Sequence, residues 1–167
     1  MYITESYVTE AEKLVIEDWL IEGGHGNLHD GKTSRQIGTD VFKRYGTGCE
    51  YFVETGTYIG GGIYKAIAAG LFTRYFSCEL DEQRQKANLD KFNYRSDVEL
   101  YQGYSTEALK EILPKIDRKS LFYLDAHAEG GGVPTFEELD LIKEMCDTND
   151  HTILVDNIPI YFGDGSA

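Results

Sequence analysis

Four short apolar runs in this 167-residue sequence end in a carboxylate: Tyr51-Phe52-Val53 in Glu54, Tyr75-Phe76-Ser77-Cys78 in Glu79, Leu121-Phe122-Tyr123-Leu124 in Asp125, and Thr152-Ile153-Leu154-Val155 in Asp156. Read as strands of one parallel sheet, they deliver all four acids to the carboxyl edge, where open α/β sheets bind their ligands. Acids gathered there repel one another unless they share something cationic. Glu79, closing the second run, has the chemistry to accept two hydrogen bonds from the vicinal hydroxyls of a ribose. Asp125 with the pair Asp156-Asn157 offers three hard oxygen donors from adjacent strands. That is the set magnesium prefers, with positions left over for water and substrate oxygens.

Behind Glu54 lies the loop Thr55-Gly56-Thr57-Tyr58-Ile59-Gly60-Gly61-Gly62, followed by a helical pattern from Ile63 to Ala69. Glycines let the backbone approach a ligand closely, and the helix start presents unpaired N–H groups to an anionic part of it. The spacing is not the G-x-G-x-x-G of dinucleotide-binding proteins. A glycine-rich turn that binds a phosphate, or nothing, is the alternative at this point.

The elements that must position these residues follow from the rest of the chain. The segment from Glu5 to Glu22 repeats Val8, Ala11, Val15 and Trp19 at helical spacing, and Gly23 to Gly31 reads as a loop. That loop is a lid over a ligand or a plain linker. His25 and His29, four residues apart, could suggest a metal, but without helical context the plain linker is the better reading. A second helix capped by Thr33 or Ser34 runs through Tyr45, with Ile37, Val41 and Tyr45 on one face. Residues 1–46 thus form an N-terminal helical cap and residues 47–167 the core of one compact domain. Asp81 caps a charged helix ending near Phe92. Val98 to Gln102 is a further strand, and Gly103-Tyr104-Ser105-Thr106 opens a helix ending near Pro114. Pro134 opens another, with Phe136, Leu139, Ile142 and Met145 facing inward. Strand–helix alternation of this kind predicts an α/β, Rossmann-like doubly wound parallel sheet with helices on both faces.

Composition narrows the function classes. A formal net charge of −13, from 16 Lys and Arg against 29 Asp and Glu, leaves no basic face for nucleic acid. It suits a cationic ligand, although solubility alone also accounts for it. Hydrophobic content of 41% with 13% aromatics describes a globular protein. No run reaches membrane-spanning length and no basic leader precedes an apolar one, so the expected compartment is the cytoplasm. Cys49, Cys78 and Cys146, widely spaced and odd in number, read as reduced core thiols.

The run Glu54-Thr55-Gly56-Thr57-Tyr58-Ile59-Gly60-Gly61-Gly62, taken with Glu79, Ser105 and the trio Asp125, Asp156 and Asn157, resembles the class I S-adenosylmethionine-dependent methyltransferases. Within them it is most similar to the catechol-type O-methyltransferases, over about Cys49 to Asn157. The resemblance implies strand order 3-2-1-4-5, S-adenosylmethionine as cofactor, and Mg2+ or another divalent cation at Asp125, Asp156 and Asn157. It implies methyl transfer to a hydroxyl of a small-molecule acceptor. Glu54 would hold the methionine end and Glu79 the ribose, with Gly56, Tyr58, Gly60, Gly62 and Asp125 along the cofactor. Leu80 and Tyr104 would flank the adenine. Ser105 would bond it or, like Thr106, serve only as the helix cap.

The sequence departs from that family in two places. The catechol-type enzymes carry a lysine base shortly after the strand-four Asp, whereas here the chain reads Asp125-Ala126-His127-Ala128-Glu129-Gly130. His127 is then the candidate catalytic base beside Asp125, or a supporting or merely exposed loop residue. The family also continues past strand five with a helix and an antiparallel strand pair. Here the sequence stops at Gly163 to Ala167, which predicts an exposed edge on strand five. The Ile158 to Phe162 tail, the N-terminal helices or a second copy of the chain in a homodimer would cover it. Two rival readings follow: a non-catalytic S-adenosylmethionine-binding domain, and a nucleotide-binding Rossmann protein such as a nicotinamide oxidoreductase.

Overall fold

A computed structural model describes residues 38–127, 133–146 and 151–156. Its elements in chain order are α1 (Thr39–Tyr45), β1 (Tyr51–Thr55), α2 (Gly61–Ala69), β2 (Arg74–Glu79), α3 (Glu82–Phe92), β3 (Val98–Gln102), α4 (Ser105–Ile112), a 3-10 turn (Leu113–Lys115), β4 (Ser120–Leu124), α5 (Thr135–Met145) and β5 (Thr152–Val155). The five strands are all parallel, as the strand–helix alternation predicts, and ordered β3-β2-β1-β4-β5, as the resemblance implies.

Strands alternate their side chains between two faces, and here each face has its own helical layer. On one, Phe52 of β1, Tyr75 of β2, and Leu121 and Tyr123 of β4 pack with Phe42 of α1, Ile63 and Ile67 of α2 and Phe92 of α3. On the other, Val53, Phe76, Phe122 and Leu124 pack with Leu109 and Ile112 of α4 and Ile142 of α5. Burial on both sides explains why these strands read as near-continuous apolar runs rather than alternating ones.

Two helical faces differ from the sequence expectation. The described part of the second cap helix buries Phe42 completely, with its ring edge-on to those of Phe52 and Tyr123, while Tyr45 is exposed. Its Ile37, like the preceding segment with Val8, Trp19 and the two histidines, lies outside the described residues. In α5 the buried positions are Thr135, Glu138 and Ile142, with Leu139 half-buried, whereas Phe136 and Met145 lie on the exposed side. The apolar spacing of three drifts off the 3.6-residue helical period, so the inward face passes through two polar residues instead. The helix starts agree better. Asp81 accepts the backbone N–H of Arg84 at 2.8 Å and caps α3, and α5 begins directly after Pro134. All three cysteines are free and buried, and burial pushes the Cys78 thiol up to about 12. Among the described residues no helix is long and apolar enough to cross a membrane.

Candidate functional site

The two-residue repeat of the strands builds the site. Glu54 of β1 stands in register with Ser77 of β2 on one side and Tyr123 of β4 on the other. Tyr123 in turn stands beside Leu154 of β5. Two residues further along each strand, on the same face, come Glu79, Gly56, Asp125 and Asp156. Strand parity alone therefore puts every predicted acid on the face covered by α1, α2 and α3. The ladder continues into this second row: the backbone N–H of Gly56 donates to Cys78 O at 3.0 Å, that of Asp125 to Thr55 O at 3.1 Å and that of Asp156 to Leu124 O at 3.0 Å.

The glycine loop is held at each step. The Tyr58 N–H donates to Glu79 Oε2 at 2.7 Å, the Tyr58 carbonyl accepts from Asn88 Nδ2 at 2.8 Å, and the Ile59 carbonyl accepts from Lys91 Nζ. Gly56 and Gly60 both have positive φ, +87° and +88°, which favours glycine. A Cβ on Gly56 would stand 2.7 Å from the Asp125 carbonyl, so the βα turn lies directly against the end of β4. Tyr58 is the one non-glycine residue with positive φ among the described residues, at +49°, and its ring is exposed with the Arg84 guanidinium 4.9 Å from its centroid. Gly62 is needed for another reason: a Cβ there would fall 1.6 Å from Glu54 Oε1. The first turn of α2 and the buried carboxyl share one space.

Glu54 is 1% exposed and accepts from Ser77 Oγ at 2.6 Å, which shares a further 2.6 Å bond with Thr57 Oγ1. Burial pushes its carboxyl up to about 8, against the pull of the Ser77 hydroxyl. Glu79 is also buried, with Oε1 accepting the Asp81 N–H at 2.8 Å and Oε2 accepting Tyr58 as above. A carboxylate has about four lone-pair sites, so these two bonds leave acceptor capacity for a diol. Leu80 is half-buried next to it, while Tyr104 is exposed. Tyr104, not Ser105, occupies the cap position of α4, and no side chain caps that helix. Ser105 is instead buried in the first turn.

At the other end, the Tyr123 hydroxyl lies 3.1 Å from Asp125 Oδ2 and 3.0 Å from Asp156 Oδ2 and donates its one proton to this pair. Burial, then the charges of Asp125 and Asp156, hold that proton on the phenol by raising its pKa. Lys65 enters from α2, half-buried. Burial lowers its pKa while the charges of Glu54, Asp125 and Asp156 oppose the shift. A cleft of about 60 Å³ is lined by Glu54, Gly56, Tyr58, Lys65, Tyr123 and Asp125, among others. His127 is exposed, and its Nδ1 lies 3.1 Å from the Asp125 carbonyl rather than in the cleft. Asn157 lies outside the described residues. Among the described residues no three His, Cys, Asp or Glu side chains are grouped to hold a metal. The two carboxylates that converge on the Tyr123 hydroxyl nevertheless have the hard-oxygen chemistry a divalent cation takes.

Three residues of this region escape sequence reasoning. Lys65 reads as an ordinary helix position and Tyr123 as one more apolar strand residue. The signal for Tyr123 was its parity with Asp125, and that for Lys65 its place one helical turn beyond Gly62. The third is Glu138, fully buried on α5, where burial raises its pKa against the pull of the Ser105 and Thr55 hydroxyls.

No protein-family model matches the sequence, and no curated protein matches it. Solved structures do. An O-methyltransferase from Bacillus cereus in complex with SAH superposes with a TM-score of 0.61 at 18% identity, covering 92% of this chain and 69% of that one. An SAH-bound methyltransferase from Podospora anserina gives 0.61 at 15% identity, covering 93% and 65%. The fold is the class I methyltransferase fold. It also accommodates other chemistry: the precorrin 8w decarboxylase of Methanobacterium thermoautotrophicum gives 0.51 at 22% identity, covering 70% of this chain and 60% of that one. At these identities the class I likeness extends to the fold, and the reaction has to be argued from the site.

Proposed function

We propose that the protein is an S-adenosylmethionine-dependent methyltransferase acting on a hydroxyl of a small molecule. The observation that carries this reading is the pairing of a tightly turned glycine loop with two buried acids at adjacent strand ends, Glu54 and Glu79, within a fold in which similar structures hold SAH. Glu79 would take the ribose hydroxyls with its remaining lone pairs. Glu54 would face the methionine ammonium, whose arrival favours ionisation of this raised carboxyl. Leu80, Tyr104 and Ser105 would border the adenine, and the first turn of α2 would meet the cofactor carboxylate.

Asp125 and Asp156, with Asn157, are the residues that would hold a divalent cation. Such an ion lowers the pKa of an acceptor hydroxyl and orients its oxygen. The chain's own contribution would then be positional: the wall formed by Gly56 and Asp125 would set cofactor and acceptor apart, and in-line geometry would supply much of the rate. His127 remains a candidate base only if its loop turns toward the cleft, because its ring now bonds its own backbone segment.

Calorimetric titration with S-adenosylmethionine tests the reading. Micromolar binding, about −8 kcal/mol, is expected. Glu79→Ala is expected to weaken it by roughly a hundredfold, through loss of a charged acceptor and of the loop anchor at Tyr58. Absence of binding to the folded parent protein would refute the proposal.

A further inference from the structure

The acidic end of the cleft carries its own positive charge. Lys65 is the one cationic side chain among the described residues lining that cleft, and three carboxylates act on it: Glu54, Asp125 and Asp156. It stands on α2, whose first turn packs so closely on Glu54 at Gly62 that a Cβ there would fall 1.6 Å from Glu54 Oε1. From the sheet side the Tyr123 hydroxyl stands within hydrogen-bond distance of one oxygen of each of Asp125 and Asp156. Tyr123 is itself fixed by the Phe42 ring at 5.3 Å and by its strand register.

We infer that Lys65 and Tyr123 are the resident counter-charge and proton bridge of the Asp125–Asp156 pair, and that a divalent cation enters the cleft only against them. Lys65 thereby sets the metal affinity of the site. The inference rests on the cation reading given above for Asp125 and Asp156. Its physical content is competition: an ammonium close to the pair repels a divalent ion, and the phenol hydroxyl has to give up its acceptors before the carboxylates can turn to a metal. The protein would then stay folded and bind its cofactor without the ion, gaining it only at high concentration.

The test is Mn2+ titration of the full chain, following the free ion by electron paramagnetic resonance. Circular dichroism melting and S-adenosylmethionine calorimetry serve as controls for folding. Lys65→Met is expected to tighten Mn2+ binding by about tenfold or more, from removal of one nearby unit charge in a partly buried site. Lys65→Arg keeps the charge and should stay near the parent affinity. Tyr123→Phe should tighten binding by a few-fold. Lys65→Gln carries the same expectation as Lys65→Met and replaces it if the methionine variant does not fold. Parent-like or weaker Mn2+ affinity in the folded uncharged variant overturns the inference while leaving the cation reading in place. No Mn2+ binding by the parent or any variant overturns both.

Discussion

The two ends of the carboxyl edge neutralise their acids in different ways. At the β2 end, Glu79 is held by backbone N–H groups of Tyr58 and Asp81, donors that belong to the loop and to the start of α3, with the Arg84 guanidinium standing off at 3.9 Å. At the β4–β5 end, Asp125 and Asp156 converge on a phenol hydroxyl carried by a side chain, and the Lys65 ammonium feels their charge through space. Backbone donors cannot leave without unfolding a turn, whereas a tyrosine proton and a lysine can be exchanged for other partners. The first end is therefore held by the fold itself, and the second by side chains that can turn to other partners. Glu54 stands between them, buried and bonded to a serine hydroxyl.

Removing the middle acid should break this contrast most strongly. Because burial raises the Glu54 carboxyl to about 8 in the folded protein, the native state keeps a proton that the unfolded chain releases. Stability from this group is fully present below about pH 4.5 and is lost as pH rises toward 8. Glu54→Gln, neutral throughout, should flatten that decline. By pH 8 its advantage over the parent should reach a few kcal/mol in urea unfolding. Equal pH slopes for the two proteins would show that Glu54 ionises freely in the native state.

Gly62→Ala should have the next largest effect, about 3 kcal/mol, because its methyl group and the Glu54 carboxyl cannot occupy the same space. Combining it with Glu54→Ala should recover most of that loss, since the clash is with one side chain, and chemical denaturation of the double variant measures the recovery. Tyr123→Phe should cost about 1 kcal/mol in the same assay, the net worth of a hydrogen bond to charged acceptors partly open to water. A Tyr123→Phe loss as large as that of Gly62→Ala would mean the β4–β5 end is as rigid as the β2 end, contrary to the contrast drawn above.

The strands and the row of acids were legible because both depend on local pattern, apolar runs of strand length with a carboxylate closing each, whereas strand order followed only from the family resemblance. The capping of α3 by Asp81 was legible for the same reason. What the sequence hid depends on pairs far apart in it. Lys65 comes under the charges of Asp125 and Asp156 only once α2 is laid across the sheet. Tyr123 reveals its role only when β4 and β5 pair, because its ring is otherwise indistinguishable from the buried aromatics around it. The inward face of α5 was misplaced because Phe136 and Met145 are the more apolar residues, yet the helix turns Thr135 and Glu138 inward.

The buried thiol on β2 has a use of its own. Cys78 is 1% exposed in the strand beside β1, and its raised pKa leaves almost no thiolate at neutral pH. A thiol reagent can therefore reach it only when that strand swings open, so the labelling rate becomes a clock for rare openings of the sheet beneath the glycine loop. Slowing of that clock by a candidate ligand would report occupancy of the cleft without any assay for turnover.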